Sequence, residues 1–265
     1  VRIYNAEDSS LIGTFYTDSQ GNWSSSDITK GTRCVIRYYL AGYIFNSEYE
    51  ECVIGENIPE TVMGEKSYDG NLEEDTDDSF VYTVLNGTYC KITSYDGVLT
   101  ELAIPETLGG YIVQEIGDRA FENNKTLEAV RLPESVKTVG TGCFAGCENL
   151  SYVELNDGLG NIGTNMFEGC SALKTIQVPG STRTIHSGAF RNAGLTDIRL
   201  PLGVEVIGDS AFADCLGLTE LQLPDSVAEM GQNVFDGCTN LKKVKIPANW
   251  TEVSGYPYES PFCGS

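Results

Sequence analysis

The sequence predicts an α+β repeat solenoid, with units of about 23 residues made of short strands and short helical turns, preceded by a small all-β sandwich. Three observations carry this expectation. Phenylalanines Phe121, Phe144, Phe167, Phe190, Phe212 and Phe235 follow one another at spacings of 23, 23, 23, 22 and 23 residues. Prolines and leucines keep the same beat: Pro133, Pro179, Pro201, Pro224 and Pro247 share one register, with Asn156 standing in once, and Leu127, Leu150, Leu173, Leu195, Leu218 and Leu241 open the units. The first 65 residues show no such period. A fixed period in the twenties is the mark of stacked supersecondary units, none of which can bury its apolar side alone.

Within a unit, LTELQLP places Leu218, Leu221 and Leu223 around two polar residues, and this alternation reads as a short strand that Pro224 ends. The segment Val227–Gly231 crosses the back, and DSAFADC reads as a helical turn carrying Ala211, Phe212 and Cys215 inward. LAIPETLGGYIVQEIGDRAF has five extra residues between Pro105 and Phe121, and Gly109–Val113 is expected to bulge as a loop. The final IPANWTEVSGYPYESPFCGS leaves the register after Gly255.

Residues 1–65 alternate apolar and polar positions, are rich in Tyr, Thr and Val, and carry turn chemistry at DSQGN, which predicts an antiparallel sandwich. Between the two parts, residues 66–80 (KSYDGNLEEDTDDSF) are acidic with few apolar side chains and read as a linker, leaving 81–265 as the solenoid. The run Glu73–Asp78 lacks the glycine and the distal glutamate of a calcium loop.

Composition excludes several functions. A formal charge of −21, from 17 basic and 38 acidic residues, repels a phosphate backbone, so nucleic acid is not an expected partner. No apolar run reaches the roughly 20 residues of a membrane-spanning helix, so no membrane insertion is expected of this stretch. Nine cysteines are too few and too spread for a disulfide-framed mini-domain.

Four of those cysteines invite a chemical reading. Cys147, Cys170, Cys215 and Cys238 occupy one repeat position, but Asn124 and Ala193 fill it in other copies. Metal ligands must converge on a point, whereas a solenoid spreads equivalent residues along a line. Cys143 sits in a second column with Ala120, Met166, Ala189, Ala211 and Val234, a set that asks only for a small or medium apolar group. Packing is therefore the favoured role for these thiols, with pairing between neighbouring coils disfavoured by parallel side-chain directions. Cys34 and Cys52 fall in two strands expected in the first domain, where a bridge is open. GLGNIG at Gly158–Gly163 matches a dinucleotide fingerprint, yet Gly163 is the repeat glycine also found as Gly117, Gly140, Gly208 and Gly231. His186 replaces that glycine in its own copy and is expected at the surface, with no nucleophile beside it. No catalytic set, cofactor or metal site is expected.

What remains is the outer face of the strands. One column runs Glu101, Ala129, Tyr152, Thr175, Asp197, Glu220 and Lys243; the other runs Ala103, Arg131, Glu154, Gln177, Arg199, Gln222 and Lys245. Arg131, Tyr152, Glu154, Thr175, Gln177, Asp197, Arg199, Glu220 and Gln222 form the candidate ligand-binding face, with Tyr152, Arg131 and Arg199 carrying the chemistry that anchors contacts.

The units LEAVRLPESVKTVGTGCFAGCEN and LTELQLPDSVAEMGQNVFDGCTN, with their LPxSV, G, F and GC elements, resemble BspA-like leucine-rich repeats. The resemblance implies a leucine-rich-repeat solenoid on a bacterial surface or secreted protein, outside the cell, binding a protein or glycan on host or neighbouring cells. TDSQGNW and the later GY are similar to prealbumin-like or Cna B-type sandwich modules, but the first strand has no lysine for the isopeptide bond of that family. The alternative function is a non-catalytic ancillary region of a larger secreted glycan- or protein-degrading enzyme.

Overall fold

The computed structural model describes residues 72–75 and 77–247, together with the backbone of six short strands between Arg2 and Lys66. The chain folds as two compact units, Val1–Gly70 and Asn71–Ser265. In the first unit the strands are β1 (Arg2–Asn5), β2 (Leu11–Thr14), β3 (Arg33–Arg37), β4 (Tyr43–Phe45), β5 (Glu51–Val53) and β6 (Gly64–Lys66). They pair antiparallel in the orders β2-β1-β3-β5 and β4-β6. How these sheets face each other, the sandwich core expected for 1–65, and the tail beyond Pro247 lie outside the described residues.

The second unit is a stack of coils with three repeating sides. Its strands are β7 (Glu73–Glu74), β8 (Phe80–Val84), β9 (Tyr89–Tyr95), β10 (Glu101–Ala103), β11 (Thr107–Leu108), β12 (Tyr111–Ile116), β13 (Ala129–Arg131), β14 (Thr138–Val139) and β15 (Tyr152–Glu154), followed by β16 (Asn161–Ile162), β17 (Thr184–Ile185), β18 (Val206–Ile207), β19 (Glu220–Gln222), β20 (Glu229–Met230) and β21 (Lys243–Lys245). The front side runs β7-β10-β13-β15 in parallel, continues through a single bridge between Gln177 and Arg199, and resumes as β19-β21. The back side carries β9-β12-β14 and then β16-β17-β18-β20, again parallel.

The third side, around each phenylalanine, was expected to be helical and is not. Among the described residues there is no α-helix, and the one helical element is a 3-10 turn at Asp77–Ser79. The reason lies in the backbone. Two residues before and two residues after each phenylalanine adopt positive φ: Arg119 at 56° and Asn123 at 57° flank Phe121, and the pattern recurs at Gly142 and Gly146, Asn165 and Gly169, Gly188 and Asn192, Ser210 and Asp214, and Asn233 and Gly237. Left-handed residues every four positions break a right-handed helix, and Gly, Asn and Asp accept that conformation most cheaply. The N–H groups then alternate in direction. Arg119, Phe121 and Asn123 donate to Thr141, Cys143 and Ala145 of the next coil at 2.9, 2.8 and 2.7 Å, while Glu122 and Asn124 donate three residues back to Arg119 and Phe121. Every turn is thus welded to its neighbour, and the buried backbone is satisfied without a helix.

The rings themselves stack. Phe80, Tyr95 and the six repeat phenylalanines form one row with centroid separations of 4.9 to 5.9 Å, nearly parallel from Phe144 to Phe235. All six repeat rings are buried. Tyr95 takes the phenylalanine place in the first coil, and its hydroxyl donates to Asp75 Oδ2 at 2.7 Å. That bond helps explain a second departure from expectation. The described part of 66–80 is no free linker: β7 pairs with β10, and Phe80 starts the ring row, so this acidic stretch closes the N-terminal end of the stack.

The inserted residues also differ from a simple bulge. β11 and β12 form an antiparallel hairpin whose two-residue turn is Gly109-Gly110, with φ of 56° and 86°. A turn with positive φ at both central residues matches strand twist, and glycine meets that demand. β12 then joins β9 and β14, so the insertion widens the back sheet.

Asn156 replaces the repeat proline and is buried. Its Nδ2 donates to Pro133 O at 2.8 Å and Val136 O at 3.0 Å, and its Oδ1 accepts from Gly158 N at 2.9 Å, so the polar substitute is fully used.

Candidate interaction face

Front-strand geometry sets the candidate face. Apolar residues Leu102, Val130, Val153 and Leu221 point to the core, and the flanking residues point out. In-register pairing puts Arg131 beside Glu154, Gln177 beside Arg199, Glu220 beside Lys243 and Gln222 beside Lys245. Gln177, Asp197, Glu220 and Gln222 are exposed, while Arg131, Tyr152, Glu154, Thr175 and Arg199 are half-buried. Seven coils at about 4.8 Å per strand give the face a length of about 29 Å.

Not every outward position belongs to it. Ala103 and Ala129 are buried at 2% and 0% exposure, against the expectation for their columns. Ala129 lies in register between Glu101 and Tyr152, and Ala103 between Glu74 and Arg131, so longer side chains on both sides shield a single methyl. Regular strand pairing also lapses at Thr175 and Asp197, where the Gln177–Arg199 bridge alone is kept. The usable surface therefore begins at Arg131 and Tyr152.

Charge separates this face from the rest of the chain. From β10 to β21 its outward columns hold Arg131, Arg199, Lys243 and Lys245 against Glu101, Glu154, Asp197 and Glu220, so this stretch carries no net charge, and the part from Arg131 onward, four basic against three acidic, is +1, in a protein of formal charge −21. Lys243 and Glu220 approach to 4.0 Å across neighbouring strands. Such exposed pairs contribute little to stability, roughly 0–1 kcal/mol, which leaves both groups able to exchange partners.

The cysteine column is interior. Cys147, Cys170, Cys215 and Cys238 are fully buried free thiols, and their Sγ atoms donate to the carbonyls of Phe121, Phe144, Phe190 and Phe212 at 3.0, 3.2, 3.1 and 3.0 Å. Each of these bonds runs to the previous coil, adding a link that an alanine cannot make. Burial pushes the Cys147 thiol up to about 12 and that of Cys238 up to about 11, and raises Cys143, Cys170 and Cys215 as well, so these sulfurs stay protonated and poorly nucleophilic. Where Asn124 stands, its Oδ1 instead accepts from Thr126 N, Leu127 N and the Thr126 hydroxyl. The repeat register alone places these residues inside but does not reveal the carbonyl each thiol serves, because that partner lies 25 or 26 residues away and is set by coil stacking.

The other chemical candidates stay apart. His186 is exposed, and Gly163 lies in a turn that follows the short strand β16. Among the described residues no three His, Cys, Asp or Glu side chains gather as a metal site would require, and no helix is long and apolar enough to cross a membrane.

Known bacterial proteins share this architecture. Residues 94–219 and 172–261 match the family described as BspA type leucine rich repeat region, in six copies. The chain is similar to the T. pallidum leucine rich repeat protein TpLRR, at 33% identity and TM-score 0.63 over 66% of this chain and 84% of that one. It is also similar to a leucine-rich repeat protein from Bacteroides ovatus, at 32% identity and TM-score 0.58, covering 69% of this chain and 48% of the other. A leucine-rich repeat protein from Eubacterium ventriosum shares the fold at 20% identity and TM-score 0.51, over 68% of this chain and 54% of that one. No curated protein matches the chain. With its ring row, coil-to-coil thiols and repeat register in place, this chain belongs to the bacterial BspA-type leucine-rich repeat proteins.

Proposed function

We propose that the chain is a non-enzymatic bacterial binding protein, secreted or held at the cell surface, whose front face recognises a protein or glycan on a host or neighbouring cell. The observation that carries this reading is the near-neutral strand face, varied from coil to coil, on an otherwise strongly acidic molecule. An acidic surface repels most cell-surface polymers, which are themselves anionic, and a near-neutral strip bearing Arg131, Tyr152 and Arg199 is where contact costs least. The core behind it supports the reading: equivalent residues run in lines, which suits a long docking surface and gives a reacting group no point of convergence. Each regular front strand from β10 on is three residues long with two positions flanking its central apolar residue, so neighbouring coils set acidic, basic and amide side chains next to one another.

The test is binding of the purified chain to immobilised matrix proteins, mucins and intact bacterial cells. Saturable binding that falls at least tenfold in the R131E/R199E double variant supports the front face. Binding unchanged by that double reversal, or no saturable binding to any of these surfaces, overturns it.

A further inference from the structure

We propose that Cys34 and Cys52 form a cross-strand disulfide in the first unit. The two residues are direct partners in the antiparallel pairing of β3 with β5, flanked by Arg33 opposite Val53 and Val35 opposite Glu51. Directly opposed residues share a face of the sheet and have Cα atoms about 4.5 or 5.5 Å apart, depending on whether they form a non-hydrogen-bonded or hydrogen-bonded pair. Both values fall inside the roughly 4.4–6.8 Å window that a disulfide needs. Among the described strands the order β2-β1-β3-β5 puts β5 at an edge, so the bridge ties that edge to its inner neighbour.

The solenoid cysteines provide the contrast. Equivalent positions there are also one strand spacing apart, but the chains run parallel, and each thiol in the column is committed to a Phe carbonyl of the preceding coil. Register alone does not distinguish the two sets; strand direction does.

Formation needs an oxidant, and a small-molecule disulfide such as oxidised glutathione serves. The thiolate of one cysteine attacks a glutathione sulfur, releasing one glutathione thiolate; the second cysteine then attacks the mixed disulfide and releases the other. One S–S bond is broken and one is formed, two thiol protons pass to solvent, and two electrons leave the protein on two glutathiones. The bridge is independent of what the front face binds.

Peptide mapping of the full chain tests it. Protein equilibrated in oxidised glutathione is acid-quenched, alkylated in denaturant and cut with trypsin, which isolates Cys34 in residues 34–37 and Cys52 in residues 38–66. The expected product is these two peptides joined, with a mass about 2 Da below their sum. Of the nine cysteines, the seven others are alkylated. In C34S, Cys52 is recovered alkylated or carrying one glutathione, because the mixed disulfide has no second thiol to resolve it. Nine alkylated cysteines after oxidation, a bridge from either residue to Cys263 or to a solenoid cysteine, or Cys52 of C34S joined to another cysteine of the chain would each overturn the proposal.

Discussion

The ring row makes a quantitative prediction at Phe167. Its ring is fully buried and stacks on Phe144 at 5.8 Å and on Phe190 at 5.6 Å. Removing it in Phe167→Ala forfeits roughly 1.5–3 kcal/mol of apolar transfer. Two ring contacts of roughly 0.5–1.5 kcal/mol each go with it. The sum, about 2.5–6 kcal/mol, brackets the roughly 3–5 kcal/mol usual for a buried Phe→Ala change. Urea unfolding followed by circular dichroism measures it. Phe80→Ala, at the start of the row with Tyr95 as its one described ring neighbour, should cost less by about one ring contact. Coupling is the sharper readout: Phe144→Ala and Phe167→Ala remove a shared contact and should be non-additive by about 0.5–1.5 kcal/mol, whereas Phe121 and Phe190 are three coils apart and should add. A loss below about 1 kcal/mol at Phe167, or equal coupling in the two pairs, would refute the view that stacked rings hold the coils together.

Three further outcomes are expected. Gly146→Ala places a methyl against Asn123 Oδ1 at a φ of 71° and should cost roughly 1–2 kcal/mol in the same unfolding assay, with part recovered by adding Asn123→Gly, which clears the clash but not the backbone strain. Asn156→Ala removes three hydrogen bonds, two of them buried, and leaves Gly158 N without that acceptor, for a loss of about 1–3 kcal/mol by thermal or urea unfolding. For the thiols, unfolded cysteines ionise near 9.0 while folded Cys147 and Cys238 hold their protons up to about 12 and about 11. The folded chain then binds more protons than the unfolded one, so their contribution is complete below pH 9 and falls as pH rises toward 11 and 12; C147A and C238A should each flatten that alkaline decline of the urea midpoint.

The legible features share one property: they repeat. The leucine, proline and phenylalanine registers each assign one role to several residues, so Phe167 and Cys170 can be placed in the interior without knowing their contacts, and Arg131 and Tyr152 outside it. Features that occur once are harder to read. Tyr95 stands where a phenylalanine would, but hairpin residues on either side of it displace it from the 23-residue beat, so the acidic strand β7 and Phe80, which pack on its coil, read as part of a linker. Ala103 and Ala129 satisfy the outward pattern and are nonetheless buried, because exposure depends on the length of the in-register neighbours.

By itself, then, the sequence determined the period, the family resemblance, which columns enter the core and which face solvent, since hydrophobic periodicity is a property of neighbours along the chain. Tertiary structure decided what each coil does to the next. Positive φ at Arg119 and Asn123 turned expected helical turns into a welded turn stack, the Gly109-Gly110 hairpin entered the back sheet, and the Cys147 thiol found the Phe121 carbonyl. Those outcomes depend on backbone groups one coil away, and a polar group taken from water must find its partner there.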